Sequence, residues 1–213
     1  MREKGLFIVF EGIDGSGKTT QLQKTVAFLE KRDLNVVVTR EPGGTTLGAK
    51  IRSLLLDVDN QGMDPLCELM LYAADRSHHV TDTIEPAISR GDVVICDRYA
   101  LSTLAYQGYG RGLPLDTIRS LNQMAIHGCV PDLTFILDMD PIVARTRIAR
   151  HRAQEPDRLE QEKLDFFERV RHGYLSEARQ APQRCAVMDG ARGPEDVFQS
   201  IKEILEPLLC TLR

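Results

Sequence analysis

Two patterns of hydrophobic and polar positions take turns along this chain: short unbroken apolar runs, and longer stretches with helical periodicity. Residues 6–10 form a nearly continuous apolar run that stops at Glu11 and Gly12, the pattern of a strand buried on both faces of a parallel sheet. From Lys18 onward Leu22, Val26 and Leu29 recur at spacings of four and three, which predicts a helix ending near Arg32 and Asp33. Further runs of the strand type follow at 35–39, 93–96, 133–137 and 185–188, each separated from the last by helical patterning. Five strands alternating with helices predict an α/β fold, a doubly wound five-stranded parallel sheet flanked by helices.

Helical stretches are also predicted at 47–56, 65–90 and 115–127, with turn-rich breaks at 58–62 and at Gly108-Tyr109-Gly110-Arg111-Gly112. Sheets of this kind bind ligands outside the carboxyl ends of their strands, so Gly12, Arg40, Asp97 and Asp138 mark where a site should be sought. Neither repeat nor linker divides the chain, and residues 1–213 read as one domain. Leu205, Leu208, Leu209 and Leu212 read as the packing face of a last helix rather than a partner stripe.

Gly12-Ile13-Asp14-Gly15-Ser16-Gly17-Lys18-Thr19 matches the phosphate-loop pattern G-x-x-x-x-G-K-[ST] in full, and it sits between a predicted strand and a predicted helix. Such a loop turns its backbone N–H groups toward phosphate oxygens and adds the positive end of the following helix. Lys18 is expected to reach the β- and γ-phosphates of a nucleoside triphosphate, and the Thr19 hydroxyl to ligate Mg²⁺, with Thr20 beside it. This identifies a P-loop NTPase fold but leaves switch, regulatory ATPase and small-molecule kinase open. A guanine-reading Asn-Lys-x-Asp segment is missing, since none of Asn35, Asn60 and Asn122 is followed by Lys.

Composition narrows the partners. A net charge of -4 provides no overall positive field for a nucleic-acid backbone. Cys67, Cys96, Cys129, Cys185 and Cys210 are odd in number and scattered, without metal-ligand spacing, and read as reduced thiols of a cytoplasmic protein. No apolar stretch is long enough for a membrane span or a signal segment, and the adjacent His78 and His79 do not read as a metal site.

Four further segments suit an anionic acceptor: residues 40–45, 72–76, 97–99 and 102–108. Arginines at strand ends offer planar forks for phosphate, and aromatic rings offer stacking faces for a base.

With these segments in order, the sequence resembles the thymidylate kinase family over essentially its whole length. The resemblance rests on residues 11–20, on Thr39-Arg40-Glu41-Pro42-Gly43-Gly44-Thr45, Tyr72-Ala73-Ala74-Asp75-Arg76, Asp97-Arg98-Tyr99, Ala105-Tyr106-Gln107-Gly108, Pro131-Asp132-Leu133-Thr134 and Asp157-Arg158-Leu159-Glu160. It implies phosphorylation of dTMP by ATP with Mg²⁺, usually in a homodimer. It also implies roles. Tyr72 takes the place of a ring stacked on thymine, and Arg76 that of the arginine reading the base edge. Arg98 matches the arginine holding the acceptor phosphate, Asp97 the acidic residue near the metal, and Arg40 with Glu41 the motif bordering both phosphates. Asp14 matches the acidic residue near the sugar 3′-hydroxyl, and Tyr106 the ring packed at C2′. Ser102 and Thr103 lie where small polar residues approach the base, and Gln107 follows Tyr106 in the same motif.

Phosphoryl transfer also requires positive charge on the transferring group, and Ile13 to Ser16 provide none. Family members with an uncharged loop take it from a lid. By resemblance the lid here is about 141–158, where Arg145, Arg147, Arg150 and Arg152 form the densest arginine run, with Arg150 and Arg152 the expected catalytic cations beside Lys18 and Arg98. The alternatives are a kinase for another nucleoside monophosphate and a regulatory ATPase that acts on a partner protein.

Overall fold

The computed structural model describes residues 5–151 and 155–210. Its sheet holds five parallel strands: β1 (Leu6–Glu11), β2 (Val36–Arg40), β3 (Val93–Asp97), β4 (Leu133–Asp138) and β5 (Cys185–Asp189), in the order β2-β3-β1-β4-β5. Each expected strand is present, displaced by at most one residue at a start and extended by one at its end. The central β1 is buried at every position, whereas the edge strands β2 and β5 are only partly covered.

Successive side chains of a strand face opposite ways, and the two faces of β1 accordingly enter different cores. Leu6, Ile8 and Phe10 join Leu22 and Leu29 of α1 (Lys18–Glu30) and Ile201, Leu205 and Leu209 of α9 (Pro194–Leu209). The C-terminal leucines thus pack on the sheet as expected, although Leu212 lies outside the described residues. Phe7 and Val9 face the other way, toward Val80, Ile84 and Tyr99. A third cluster beneath the site joins Ile13 and Tyr106 to Phe166 and Tyr174 of α8 (Leu164–Gln180).

The remaining helices are α2 (Thr46–Leu56), α3 (Pro65–His79), α4 (Glu85–Ser89), α5 (Ala100–Thr103), α6 (Leu115–Ala125) and α7 (Pro141–His151). Asp64 caps α3 through the backbone N–H groups of Leu66 and Cys67, with Pro65 at the first helical position.

Two expectations need correction. The stretch predicted as one helix over 65–90 is split by a π-helical turn, Val80–Ile84. The glycine-rich segment predicted as a turn is largely a second π-helical piece, Leu104–Gly110. Gly110 serves close packing there, since a Cβ at that position would lie 2.6 Å from Cε2 of Phe166. Wide π turns of this kind recur at functional sites, and this one carries Tyr106 and Gln107.

Candidate active site

The phosphate loop runs from the end of β1 into α1, above the carboxyl edge of the sheet. Gly15 has a φ of 79°, and a Cβ on it would lie 2.5 Å from the Ala144 carbonyl oxygen, so its lack of a side chain lets α7 seat directly on the loop. Lys18 folds back over the turn: its Nζ donates to the carbonyl oxygens of Gly12 at 3.0 Å and Ile13 at 3.1 Å and lies 3.5 Å from Asp14 Oδ1. Burial lowers its pKa, and the nearby charge of Arg98 adds to that shift. Ser16 Oγ is buried with no hydrogen-bond partner among the described residues, while Thr19 and Thr20 are exposed on the first turn of α1.

Beside the loop a cleft of about 180 Å³ opens at the ends of β2 and β3. Asp14 belongs to both loop and cleft. Its Oδ1 accepts a 2.8 Å bond from Nη2 of Arg98. Burial works against its ionisation, but the charges of Arg98 and Lys18 outweigh that and hold its carboxyl well below the usual carboxylate range.

Arg98 itself sits in a left-handed conformation, with φ 71°, directly after β3, and its backbone N–H is tied to the Phe10 carbonyl at 2.9 Å. A non-glycine residue held there signals a structure that over-determines it, as at sites of function. Its Nη1 reaches Ser102 Oγ at 3.3 Å and the Tyr174 hydroxyl at 3.2 Å, and its guanidinium lies 5.0 Å from the ring centre of Tyr106.

Beneath Arg98 lies a carboxylate absent from the expected site, Glu11 at the last position of β1. It accepts from the backbone N–H groups of Tyr99 (2.9 Å) and Ser102 (3.1 Å), from Ser102 Oγ (2.6 Å) and from the Tyr174 hydroxyl (2.9 Å). Burial pushes its pKa up in spite of these bonds.

The side chains around Arg76 follow the same plan. Arg76, 1% exposed, donates from Nε to Glu41 at 2.8 Å and from Nη1 to Thr103 Oγ1 at 2.9 Å and Asn122 Oδ1 at 2.7 Å. The other oxygen of Glu41 is 3.0 Å from Nδ1 of His79, whose Nε2 is 2.6 Å from Thr39 Oγ1. Gln107 donates to Glu68 at 2.8 Å. Glu41, Ser102, Thr103 and Gln107 therefore line the cleft with polar groups already engaged in holding its other side chains. Tyr72, Arg40 and Tyr106 line it too, and the Tyr106 hydroxyl is buried with no partner among the described residues. Asp97 lines it as well, with a buried Oδ1 likewise without a partner.

Not every expected residue comes to the cleft. Arg150 is exposed on the last turn of α7 and is absent from its walls. Arg152 lies outside the described residues. Arg147 Nη1 donates to the Gly190 carbonyl at 2.9 Å. Asp138, at the end of β4, is taken by a two-pronged pair with Arg171 at 2.6 and 2.8 Å and does not line the cleft.

A family model for thymidylate kinase matches residues 10–201. The chain belongs to the thymidylate kinase family. Among curated thymidylate kinases, that of Desulfosudis oleivorans is 53% identical over 194 residues, covering 89% of this chain and 90% of its own. That of Carboxydothermus hydrogenoformans is 47% identical, covering 96% and 98%. The crystal structure of thymidylate kinase from Ehrlichia chaffeensis is similar in fold, with a TM-score of 0.77 at 38% identity over 95% of this chain and 99% of that one.

Against this family frame, several residues in or behind the cleft were not among the expected site residues. Glu11 carried a signal, as a polar residue closing an apolar strand beside the phosphate loop. Tyr174 carried none, being one inward position of an ordinary amphipathic helix. Arg52 lines the cleft from α2 and donates to the Pro42 carbonyl at 3.1 Å; burial and the charge of Arg40 lower its pKa. Asp157 and Glu160 complete the rim.

Proposed function

We propose that this chain transfers the γ-phosphoryl group of ATP to the 5′-phosphate of dTMP, giving ADP and dTDP for dTTP synthesis, as a single kinase domain with residues 141–158 acting as its lid. The observation that carries the reading is the 2.8 Å pair between Asp14 and Arg98, which joins a donor loop to an acceptor cleft. A regulatory ATPase has no need of such a cleft.

The residues present suit Mg²⁺. Asp97 Oδ1 is a buried oxygen with no partner among the described residues, and the exposed Thr19 hydroxyl opens the helix below the loop. These two would hold the ion, which when bound neutralises phosphate charge and orients it.

The protein's own groups carry the remaining work. Lys18 exchanges the carbonyls of Gly12 and Ile13 for phosphate oxygens. Arg98 holds the acceptor phosphate, with Glu11, Ser102 and Tyr174 fixing it from behind and Arg40 exposed at the outer rim. Tyr72 stacks on the base, Arg76 reads its edge, and Tyr106 fills the space a ribose 2′-hydroxyl would need. Arg150 and Arg152 enter when the lid closes, excluding water and balancing charge on the transferring group.

A cytoplasmic homodimer fits the same reading. Among the described residues no helix is long and apolar enough to cross a membrane, and Leu47, Leu54, Leu66 and Met70 leave exposed apolar surface on α2 and α3 for a second copy.

Coupled ADP release across a panel of acceptors tests the proposal. dTMP should be preferred strongly over dCMP and over the ribonucleotide, and over dUMP by about 1–3 kcal/mol, since only a methyl is missing. Equal use of dCMP would reject the acceptor assignment, and turnover independent of any acceptor would favour the regulatory ATPase.

A further inference from the structure

Outside the cleft, one buried carboxylate gathers more charge than any packing role requires. Glu68, on the first turn of α3, is 1% exposed and does not line the cleft. Its Oε1 accepts from Gln107 Nε2 at 2.8 Å and Arg111 Nε at 3.2 Å. Its Oε2 accepts from Arg111 Nη2 at 3.3 Å and Arg158 Nη2 at 2.5 Å. Burial disfavours the charged form, yet the bonds from Arg111 and Gln107 prevail and hold its carboxyl below the usual carboxylate value.

The donors come from different walls of the acceptor cleft. Gln107 belongs to the π-helical segment that also carries Tyr106. Arg158 lies between Asp157 and Leu159, both on the rim, and it spans to α2 as well: its Nε donates to the Leu55 carbonyl at 2.7 Å and its backbone N–H to the Leu56 carbonyl at 3.2 Å. Tyr72 stands one helical turn beyond Glu68 on the same helix. Arg111 reaches outward to Glu162, ahead of α8.

We propose that Glu68 is a positioning residue for the acceptor: by clamping Gln107, Arg111 and Arg158 together it sets the spacing between the Tyr72 wall, the Tyr106–Gln107 wall and the stretch 155–162, where the lid segment ends and the chain returns toward α8. The inference rests on the acceptor reading above. Three donors on one carboxylate fix three elements with respect to each other, and two guanidiniums around it make the site costly to satisfy by any neutral substitute. The donor loop takes no part in this cluster, so its geometry should survive the loss of Glu68.

Two variants of the full chain, Glu68→Gln and Arg158→Gln, test the clamp. In Glu68→Gln the KM for dTMP should rise about tenfold, the size expected for a residue acting through others. The KM for ATP should stay within about twofold and kcat within about threefold of the parent, a split that general loosening does not produce. Arg158→Gln, which leaves Arg111 and Gln107 in place, should show the same split at smaller size, and it decides the matter if Glu68→Gln does not fold. Hydrogen exchange on the free proteins is the second readout: residues 104–111 and 155–162 should exchange faster while β1 and α9 stay protected. Unchanged dTMP KM, equal rises for both substrates, or faster exchange throughout would each overturn the clamp. A parent enzyme without dTMP turnover would fail the acceptor reading instead, and exchange would then decide this inference alone.

Discussion

The donor loop and the acceptor cleft meet at Asp14 but are built by opposite means. The loop is local: residues 12–19 form it from their own backbone, and among the described residues Lys18 bonds only within that stretch. The acceptor cleft draws side chains from Asp14 to Glu160, on separate strands and helices, and most polar groups on its walls are held by one another, with the Tyr106 hydroxyl and Asp97 Oδ1 left without a partner among the described residues. A loop of backbone amides suits any triphosphate. A cleft of interlocked side chains suits one acceptor, because a wrong ligand leaves buried groups unpaired. Damage to the donor side should therefore appear in kcat, and damage to the acceptor side in KM.

The largest expected effect lies with the lid arginines, which should affect only the transition state. Alanine at both Arg150 and Arg152 should lower kcat by about 10³ to 10⁵, the range for arginines that balance charge in phosphoryl transfer, with little change in the KM for dTMP. Retention of kcat within about threefold would move the catalytic charge elsewhere. Arg158 is a poor replacement, being buried between Glu68 and the end of α2, and Arg147 is occupied at Gly190.

Next in size is Lys18→Ala. Removing the one cation of the donor loop should cost about 10² to 10³ in kcat, the loss seen when a preorganised charge or donor is deleted, with the fold intact by circular dichroism. A variant impaired mainly in dTMP KM would contradict the division between the two sides.

On the acceptor side, Tyr72→Leu keeps apolar volume and removes the stacking face. Loss of base stacking of about 1–3 kcal/mol should raise the KM for dTMP about tenfold or more, with kcat nearly unchanged. A fall in kcat at constant KM would mean that Tyr72 orders the reacting groups instead of the base.

The same contrast explains what the sequence revealed. All five strands were legible because each is an apolar run closed by a polar residue, and the donor loop because its function is written in one contiguous glycine-rich stretch. Resemblance to the family pointed to Tyr72, Arg76, Arg98 and Tyr106. Glu68, Tyr174 and Arg52 were not legible: each is a single residue on a helix with ordinary periodicity, and its role exists only through partners 39 to 163 positions away, or, for Arg52, through a backbone carbonyl across a turn. The π-helical segment Leu104–Gly110 was missed for a related reason, since its glycines pack closely against α8 and α6, contacts that local propensity does not show.

The smallest effect on catalysis, and a sharp test of how far the polar cluster extends, concerns Asp75, next to Arg76 but outside the cleft. Its side chain is fully buried; Oδ1 accepts from the Gly43 N–H at 3.1 Å, and Oδ2 has no partner among the described residues. Burial first, and then the carboxylate of Glu41, raise its pKa from 3.8 to about 6. The folded chain therefore binds this proton more tightly than the unfolded chain does. Its contribution to stability is complete below about pH 4, is lost as the pH rises toward about 6, and stays lost above that. Asp75→Asn, which carries no charge to bury, should remove that loss and raise stability at pH 7.5 by on the order of 1–3 kcal/mol, several degrees in Tm, with kcat and both KM values unchanged. The advantage should fade at pH 4, where the parent is already protonated. Calorimetric melting of both proteins between pH 4 and 8 reads the difference directly. A variant less stable than the parent at pH 7.5 would show that Asp75 is held ionised by the arginine beside it, and a gain that did not vary with pH would show that it acts through packing and not through its charge.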